Sequence, residues 1–154
     1  MEAMKFADIA FVVCNPEVSS VHDSDKMIGL IQKKHSSIEK GATSSIPTYI
    51  LVTRYNSLKK DSLSVEDVVE ILATNEDIQE KDGMPNVEGC LIGVIPEDDA
   101  ILESSNRGIP VVIKEDSPSG FAYMDIAKRI TGEYVEMIIH KPKKKGFWTK
   151  MTGR

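Results

Sequence analysis

The chain has 154 residues, is 41% hydrophobic and 28% charged, and carries a net charge of −5, which suits one modest globular domain with a real core. No apolar run reaches the roughly 18 residues needed to span a bilayer. Met1 to Asp8 holds two acids and one lysine with no long apolar core behind them, so it does not read as a secretory signal.

In chain order, Ile9 to Val13 is a continuous apolar run, and so are Tyr49–Val52, Leu91–Ile95 (with one glycine) and Pro110–Ile113. Such short unbroken runs predict strands buried on both faces, as in a parallel sheet. Asn15-Pro16-Glu17 predicts a helix start, with Asn as N-cap and Pro at the first helical position. Val18, Val21, Ile28 and Ile31 then mark one apolar face. Glu17, Ser19, Ser20, Asp23 and Asp25 fall opposite or beside that face and, taken alone, read as a solvated acidic surface. Ser36 to Pro47 is polar and Gly/Ser-rich and is expected to be a loop. Ser64-Val65-Glu66-Asp67 is a capping box with Asp in place of Glu, opening a helix through Leu72.

Thr74 to Gly89 is acidic, contains Gly83-Met84-Pro85 and reads as a long surface excursion. A short helix follows Asp98 and stops near Asn106-Arg107-Gly108. Ser117-Pro118 opens the next helix and Gly132 ends it. Strands alternating with helices predict an α/β fold with right-handed crossovers. Two loops follow strand ends, where open α/β sheets bind ligands: Thr53-Arg54-Tyr55-Asn56 and Pro96-Glu97-Asp98. From spacing alone Arg54 and Glu97 could equally be solvated loop charges, and Asp98 a helix N-cap. Cys14 and Cys90 lack metal-ligand spacing and read as buried, reduced thiols of a cytosolic protein. His22, His35 and His140 lie far apart, and none reads as a metal ligand.

Residues 141–154 hold six basic residues and no acid, whereas the preceding 140 residues hold 13 basic and 24 acidic residues, a net −11. An anionic target therefore suits the tail alone, and the body is a poor candidate for nucleic acid. Within the tail, Phe147, Trp148 and Met151 share one side of a helix, flanked by Lys143, Lys144, Lys145, Lys150 and Arg154. That pattern describes a segment lying in a membrane interface. Burying one large apolar side chain is worth about 1.5–3 kcal/mol, and each basic residue near an anionic surface adds about 1 kcal/mol. Ordering the backbone takes back about 1–2 kcal/mol per residue. One tail should bind weakly, and two on a dimer far better.

Several of these segments together resemble the MinD-type, deviant Walker A ATPases. Phe6-Ala7-Asp8, Asn15 to Val21 and Asp23-Ser24-Asp25 are similar to the stretch that follows that family's second switch. Thr53-Arg54-Tyr55-Asn56 resembles its base-side loop, and Leu63 to Val68 its next helix. Gly93 to Asp98 and Ser105 to Val111 continue in the family's order, and Lys144-Lys145-Gly146-Phe147 resembles the opening of its membrane-targeting tail. The likeness runs from about residue 3 to the end, interrupted mainly at 74–89.

The resemblance implies the later half of a mostly parallel P-loop NTPase-type sheet with helices on both faces. Residues 1–140 would form a partial ATPase domain and 141–154 a membrane-targeting tail. It further implies that Thr53, Arg54, Asn56, Pro96, Glu97 and Asp98 flank the adenine and ribose of a nucleotide. Glu17, Ser19, Ser20, Asp23 and Asp25 would help bind MinC and MinE. The family function implied is division-site selection by an ATP- and Mg²⁺-dependent homodimeric switch, cytoplasmic and peripheral on the inner face of the membrane. No Gly-Lys-Ser/Thr stands in the sequence, so no catalytic or metal residue is assigned, and this chain alone is not expected to hydrolyse ATP. The alternatives are a non-catalytic membrane-binding or interaction module derived from the ATPase, or a fragment with no function of its own.

Overall fold

The structure, a computed structural model, describes residues 7–38, 47–73, 80–81, 84–85 and 90–141. The main sheet has three parallel strands, β1 (Ala10–Cys14), β2 (Thr48–Tyr55) and β5 (Leu91–Pro96), in the order β1-β2-β5. Parallel neighbours need a crossover. Helix α1 (Val18–Ile38) lies between β1 and β2, and α2 (Val65–Ala73) follows β2. Beyond β5 come α3 (Asp99–Arg107), a 3₁₀ turn (Val111–Ile113) and α4 (Pro118–Ile130). Within the 74–89 excursion, β3 (Glu80–Lys81) pairs antiparallel with β4 (Met84–Pro85).

The sheet is covered on both faces. On one, Val12, Cys14, Ile50, Val52 and Val94 pack with Val21, Ile28 and Ile31 of α1 and Val65, Val68 and Leu72 of α2. On the other, Ile92 and Ile95 meet Ala122 and Ile126 of α4, with Tyr49, Leu51 and Ile101 alongside. Each such burial is worth about 1.5–3 kcal/mol, so side-chain packing on both faces holds the sheet. Gly93 sets the spacing of the second layer. A Cβ there would stand 2.3 Å from Ile126 Cγ1, so only glycine lets α4 lie this close to β5.

The predicted helix boundaries at α2, α3 and α4 hold. Ser64 N–H donates to Asp67 Oδ2 and Asp67 N–H to Ser64 Oγ, both at 3.0 Å, a reciprocal capping box. Those bonds hold the Asp67 carboxyl below the usual range. Asp98 caps α3, which closes at Gly108 with φ 66°, a left-handed C-cap. Ser117 caps α4, with Pro118 in its first turn.

Other expectations give way. Pro110–Ile113 is not a strand: the Ile113 N–H turns back to Pro110 O at 3.2 Å, and Val112 and Ile113 are exposed. Nor is Ile9–Val13 buried on both faces, because Ile9, Phe11 and Val13 are 46%, 45% and 57% exposed while Val12 and Cys14 are buried. The second face of β1 lacks the cover that α4 gives β5, the opposite edge of the sheet. Helix α1 begins at Val18, two residues beyond Pro16, and extends to Ile38, past the expected loop start at Ser36. Val18 is exposed, and the buried face is carried by Val21, Ser24, Ile28 and Ile31. Cys14 is buried as expected, whereas Cys90 is only half-buried. Burial pushes both thiols up, opposed at Cys14 by a hydrogen bond from Ser24.

Candidate functional site

The carboxyl ends of all three sheet strands meet along one rim. Glu97 N–H, just beyond β5, donates to Tyr55 O at the end of β2 at 2.8 Å. That bond brings the two predicted loops together. Asn56 Nδ2 donates to Glu97 Oε2 at 2.8 Å, and Lys59 Nζ lies 3.0 Å from the same oxygen. Asn56 is itself fixed by accepting the Leu58 N–H at 3.0 Å, an Asx-type turn. The Asn56 bond first, and Lys59 after it, hold the Glu97 carboxyl below its ordinary range. Glu97 is therefore a fixed, ionised acceptor at the rim.

On the other side of β2, Thr53 Oγ1 donates to Asn15 Oδ1 at 3.0 Å and reaches Cys14 O at 3.4 Å. This bond explains why Asn15 does not cap α1 with its side chain: its amide oxygen is turned toward β2. Between Thr53 and Tyr55, Arg54 has φ 56°, where the β2–β5 register breaks between Val52 and Tyr55. A left-handed backbone costs a non-glycine residue about 1–2 kcal/mol. Here it throws the exposed Arg54 side chain out of the ladder, beside the Asn56–Glu97 junction. Among the six residues expected here, Arg54, Asn56 and Glu97 form the accessible group, and Thr53 braces β2 against β1.

Pro96 and Asp98 serve differently. Pro96 is fully buried. Asp98 Oδ1 accepts the Ala100 N–H at 2.9 Å, and its Oδ2 accepts Ser117 Oγ at 2.7 Å and Ser119 Oγ at 2.9 Å. Burial of Asp98 opposes its ionisation, but these bonds outweigh it and hold its carboxyl below the usual value. One carboxylate thus ties the β5–α3 loop to the start of α4. Asn15 and Lys59 were missed as members of the rim: Asn15 was read as a cap, and no local pattern singles out Lys59.

On α1, Glu17, Ser19 and Asp23 are exposed, and Ser20 and Asp25 half-buried. Ser20 Oγ accepts the Asn15 N–H at 3.0 Å, and Asp23 pairs with Lys26 at 3.3 Å. Ser19, Ser20 and Asp23 line, with Phe11, Val13 and Met27, an open groove of 530 Å³ between α1 and β1. Three of the five expected partner-binding residues, Ser19, Ser20 and Asp23, therefore adjoin β1, and Glu17 and Asp25 do not line the groove. Lys143, Lys144, Lys145, Phe147, Trp148, Lys150 and Met151 lie outside the described residues. No helix among the described residues is long and apolar enough to cross a membrane.

The rim supplies donors and an acceptor suited to the base or sugar of a nucleotide. Among the described residues no three His, Cys, Asp or Glu side chains group as a metal site. No metal-dependent step is derived from them.

No family model matches the sequence. Similarity to individual proteins is extensive. The chain is 40% identical over 155 residues to the septum site-determining protein MinD of Buchnera aphidicola from Schizaphis graminum, covering 99% of this chain and 52% of that protein. It superposes on MinD in the MinC:MinD cell division complex of Aquifex aeolicus with a TM-score of 0.66 and 31% identity, covering 87% of this chain and 47% of that one. It superposes on MinD of Pyrococcus horikoshii, solved with Mg-ADP, with a TM-score of 0.57 and 25% identity, covering 80% and 41%. The chain spans about half the length of the curated relatives it matches. With the parallel sheet and its helices on both faces, this continuous similarity makes the chain similar in sequence and fold to about half of a MinD protein.

Proposed function

We propose that the chain supplies the base-side rim, the partner-binding helix and the membrane tail of a MinD-like switch that selects the division site. The observation that carries this reading is the junction of Asn56, Glu97 and Lys59 across the ends of β2 and β5. It lies in a chain similar throughout to MinD. Arg54, Asn56 and Glu97 face the adenine and ribose, braced by Thr53, Pro96 and Asp98, and ATP with Mg²⁺ is held jointly with a phosphate loop that this sequence does not contain. Glu17, Ser19, Ser20, Asp23 and Asp25 form the α1 surface toward MinC and MinE, within a homodimer. The tail places the protein peripherally on the anionic inner face of the cell membrane.

A relative solved with MinC and another solved with Mg-ADP support the partner and nucleotide classes. The second reading, a membrane-binding or interaction module without ATPase activity, is favoured by the lack of any Gly-Lys-Ser/Thr in these 154 residues. Phosphate release separates the two. The purified chain with Mg-ATP and anionic vesicles is expected to show no turnover above a heat-killed control. Adding the first half of a related MinD should restore binding of a fluorescent adenine nucleotide. Asn56→Ala and Glu97→Ala should each weaken that binding by roughly tenfold, the loss of about one good hydrogen bond. Restored binding that ignores both substitutions refutes the base-side assignment. Failure to restore any binding favours the non-catalytic module.

A further inference from the structure

Among the described residues the main sheet has two edges, β1 and β5, and the chain treats them differently. A strand edge is a row of unpaired N–H and C=O groups that accepts a strand from another chain unless something lies over it. Phe11 and Val13 of β1 are exposed, whereas every residue of β5 beyond Leu91 is buried. Helix α4 covers one face of β5. After α4 the chain turns at Gly132, and residues 133–141 run on as a strap without regular secondary structure.

Three contacts hold this strap. Arg129 Nη1 donates to Ile92 O of β5 at 2.9 Å, its Nε to Val135 O at 3.0 Å and its Nη2 to Glu136 O at 2.6 Å. One guanidinium thus bridges strand and strap, at a β5 residue that has no counterpart in the β2 register. Ile139 packs against the core layer that β5 shares with α1 and α2. His140, the next residue, turns to the opposite layer: its Nε2 stands 3.1 Å from Asp125 Oδ2 of α4, and its ring lies tilted against Phe121, centroids 6.1 Å apart. Successive side chains entering opposite layers are the habit of a strand. A segment that touches both layers in this way passes outside β5, the outermost strand on that side.

We propose that residues 133–140 guard the β5 edge of the sheet. They stand where a further strand would add, and Arg129 is the residue that positions them. The strap turns the Val135 and Glu136 carbonyls inward to the guanidinium, so it blocks the edge without presenting a regular ladder of its own. Strand addition is thereby confined to the β1 side, and the partner which that side takes is an extended segment that pairs by its main chain.

Hydrogen exchange of the intact chain, resolved by mass spectrometry over β5 and α1, tests this. Two variants loosen the strap from different sides. Arg129→Lys keeps the charge but loses the planar fork that spans three carbonyls. Ile139→Ser removes the core-side contact and leaves Arg129 in place. In each, exchange over Leu91–Pro96 should rise by about tenfold or more as local opening of the edge becomes easier, while exchange over α1 stays as it was. An uncovered edge should also join copies. Each variant combined with Phe11→Lys, which places a charge on the opposite edge, should elute as a larger species than Phe11→Lys alone. Unchanged exchange over β5 in both variants overturns the guard. So does an equal rise over α1 in both, which would make the strap a general stabiliser, and so does a β5 edge that exchanges faster with no gain in size.

Discussion

Replacing Gly93 by alanine should show how tightly the second layer is built. The added methyl carbon would stand 2.3 Å from Ile126 Cγ1 and 2.6 Å from Cδ1, far inside the roughly 3.5–4.0 Å of comfortable carbon contact. Cγ1 is not a loose end. It hangs from the branched Cβ of a buried helical isoleucine, whose first torsion is nearly fixed. Relief requires α4 to lift from β5 or Ile126 to leave its rotamer, and overpacking of this kind costs about 1–3 kcal/mol. We expect a value near the top of that range. Ile126→Ala alone removes both obstructing atoms and should cost about 2–5 kcal/mol through the cavity it leaves. In the double variant the new methyl enters space that the isoleucine vacated, so the combined loss should fall short of the sum by at least ~1 kcal/mol. Urea unfolding followed by circular dichroism gives all four stabilities, with an unchanged slope as the check on a common unfolded state. Strictly additive costs, or a neutral Gly93→Ala, would refute the packing argument.

Three more outcomes are expected. Asp98 is held below its ordinary value, so the ionised form favours the fold; this contribution is present above about pH 3.9 and is lost as pH falls through the lower folded value. Acid unfolding curves of Asp98→Asn should therefore be flatter at that end than those of the unaltered chain, and identical curves would count against the role given to its serine bonds. A fused tail peptide should bind anionic vesicles, weakening with salt, with a blue shift of Trp148 fluorescence; Trp148→Glu should abolish binding, and an equal shift on neutral lipid would argue for a different attachment. Because Phe11 and Val13 are exposed on an edge strand, with Ile9 exposed just before it, the chain should self-associate in size-exclusion chromatography and Phe11→Lys should reduce that; a sharp monomer peak with a cooperative thermal transition would show the three-stranded sheet to be self-sufficient.

The sequence was most legible where a short motif makes its own bonds. The Ser64–Asp67 box, the Asp98 cap, Gly108 and the Ser117-Pro118 start are local chemistry, and each appears where its residues predict it. The three parallel strands were legible as apolar runs, but their burial was not. Leu91–Pro96 is covered on both faces and Ile9–Val13 on one, a difference set by which helices happen to lie over them. Val111–Ile113 misled because an apolar triplet after proline fits a tight turn as well as a strand. At the rim, Arg54, Asn56 and Glu97 were found because ligands gather at strand ends. The left-handed Arg54, the Thr53–Asn15 bond and the part taken by Lys59 depend on tertiary neighbours that spacing does not encode. Asp98 illustrates the same limit from the other side: its type suits a ligand group, yet two buried serines distant in sequence claim its oxygens.

The strand order carries a consequence for how the chain acquires its shape. β1 finds its partner only after the 33 residues between Cys14 and Thr48 have been made, and β2 finds β5 only after the further stretch from Tyr55 to Leu91. Neither pairing can begin as a hairpin. Loop closure must precede any reward from contact, which slows the search. During synthesis the apolar β1 emerges before β2 and β5, so its residues are most vulnerable before α1 can fold down on them. A holdase or a slow stretch of translation would matter most in that interval, well before β5 and α4 complete the second layer.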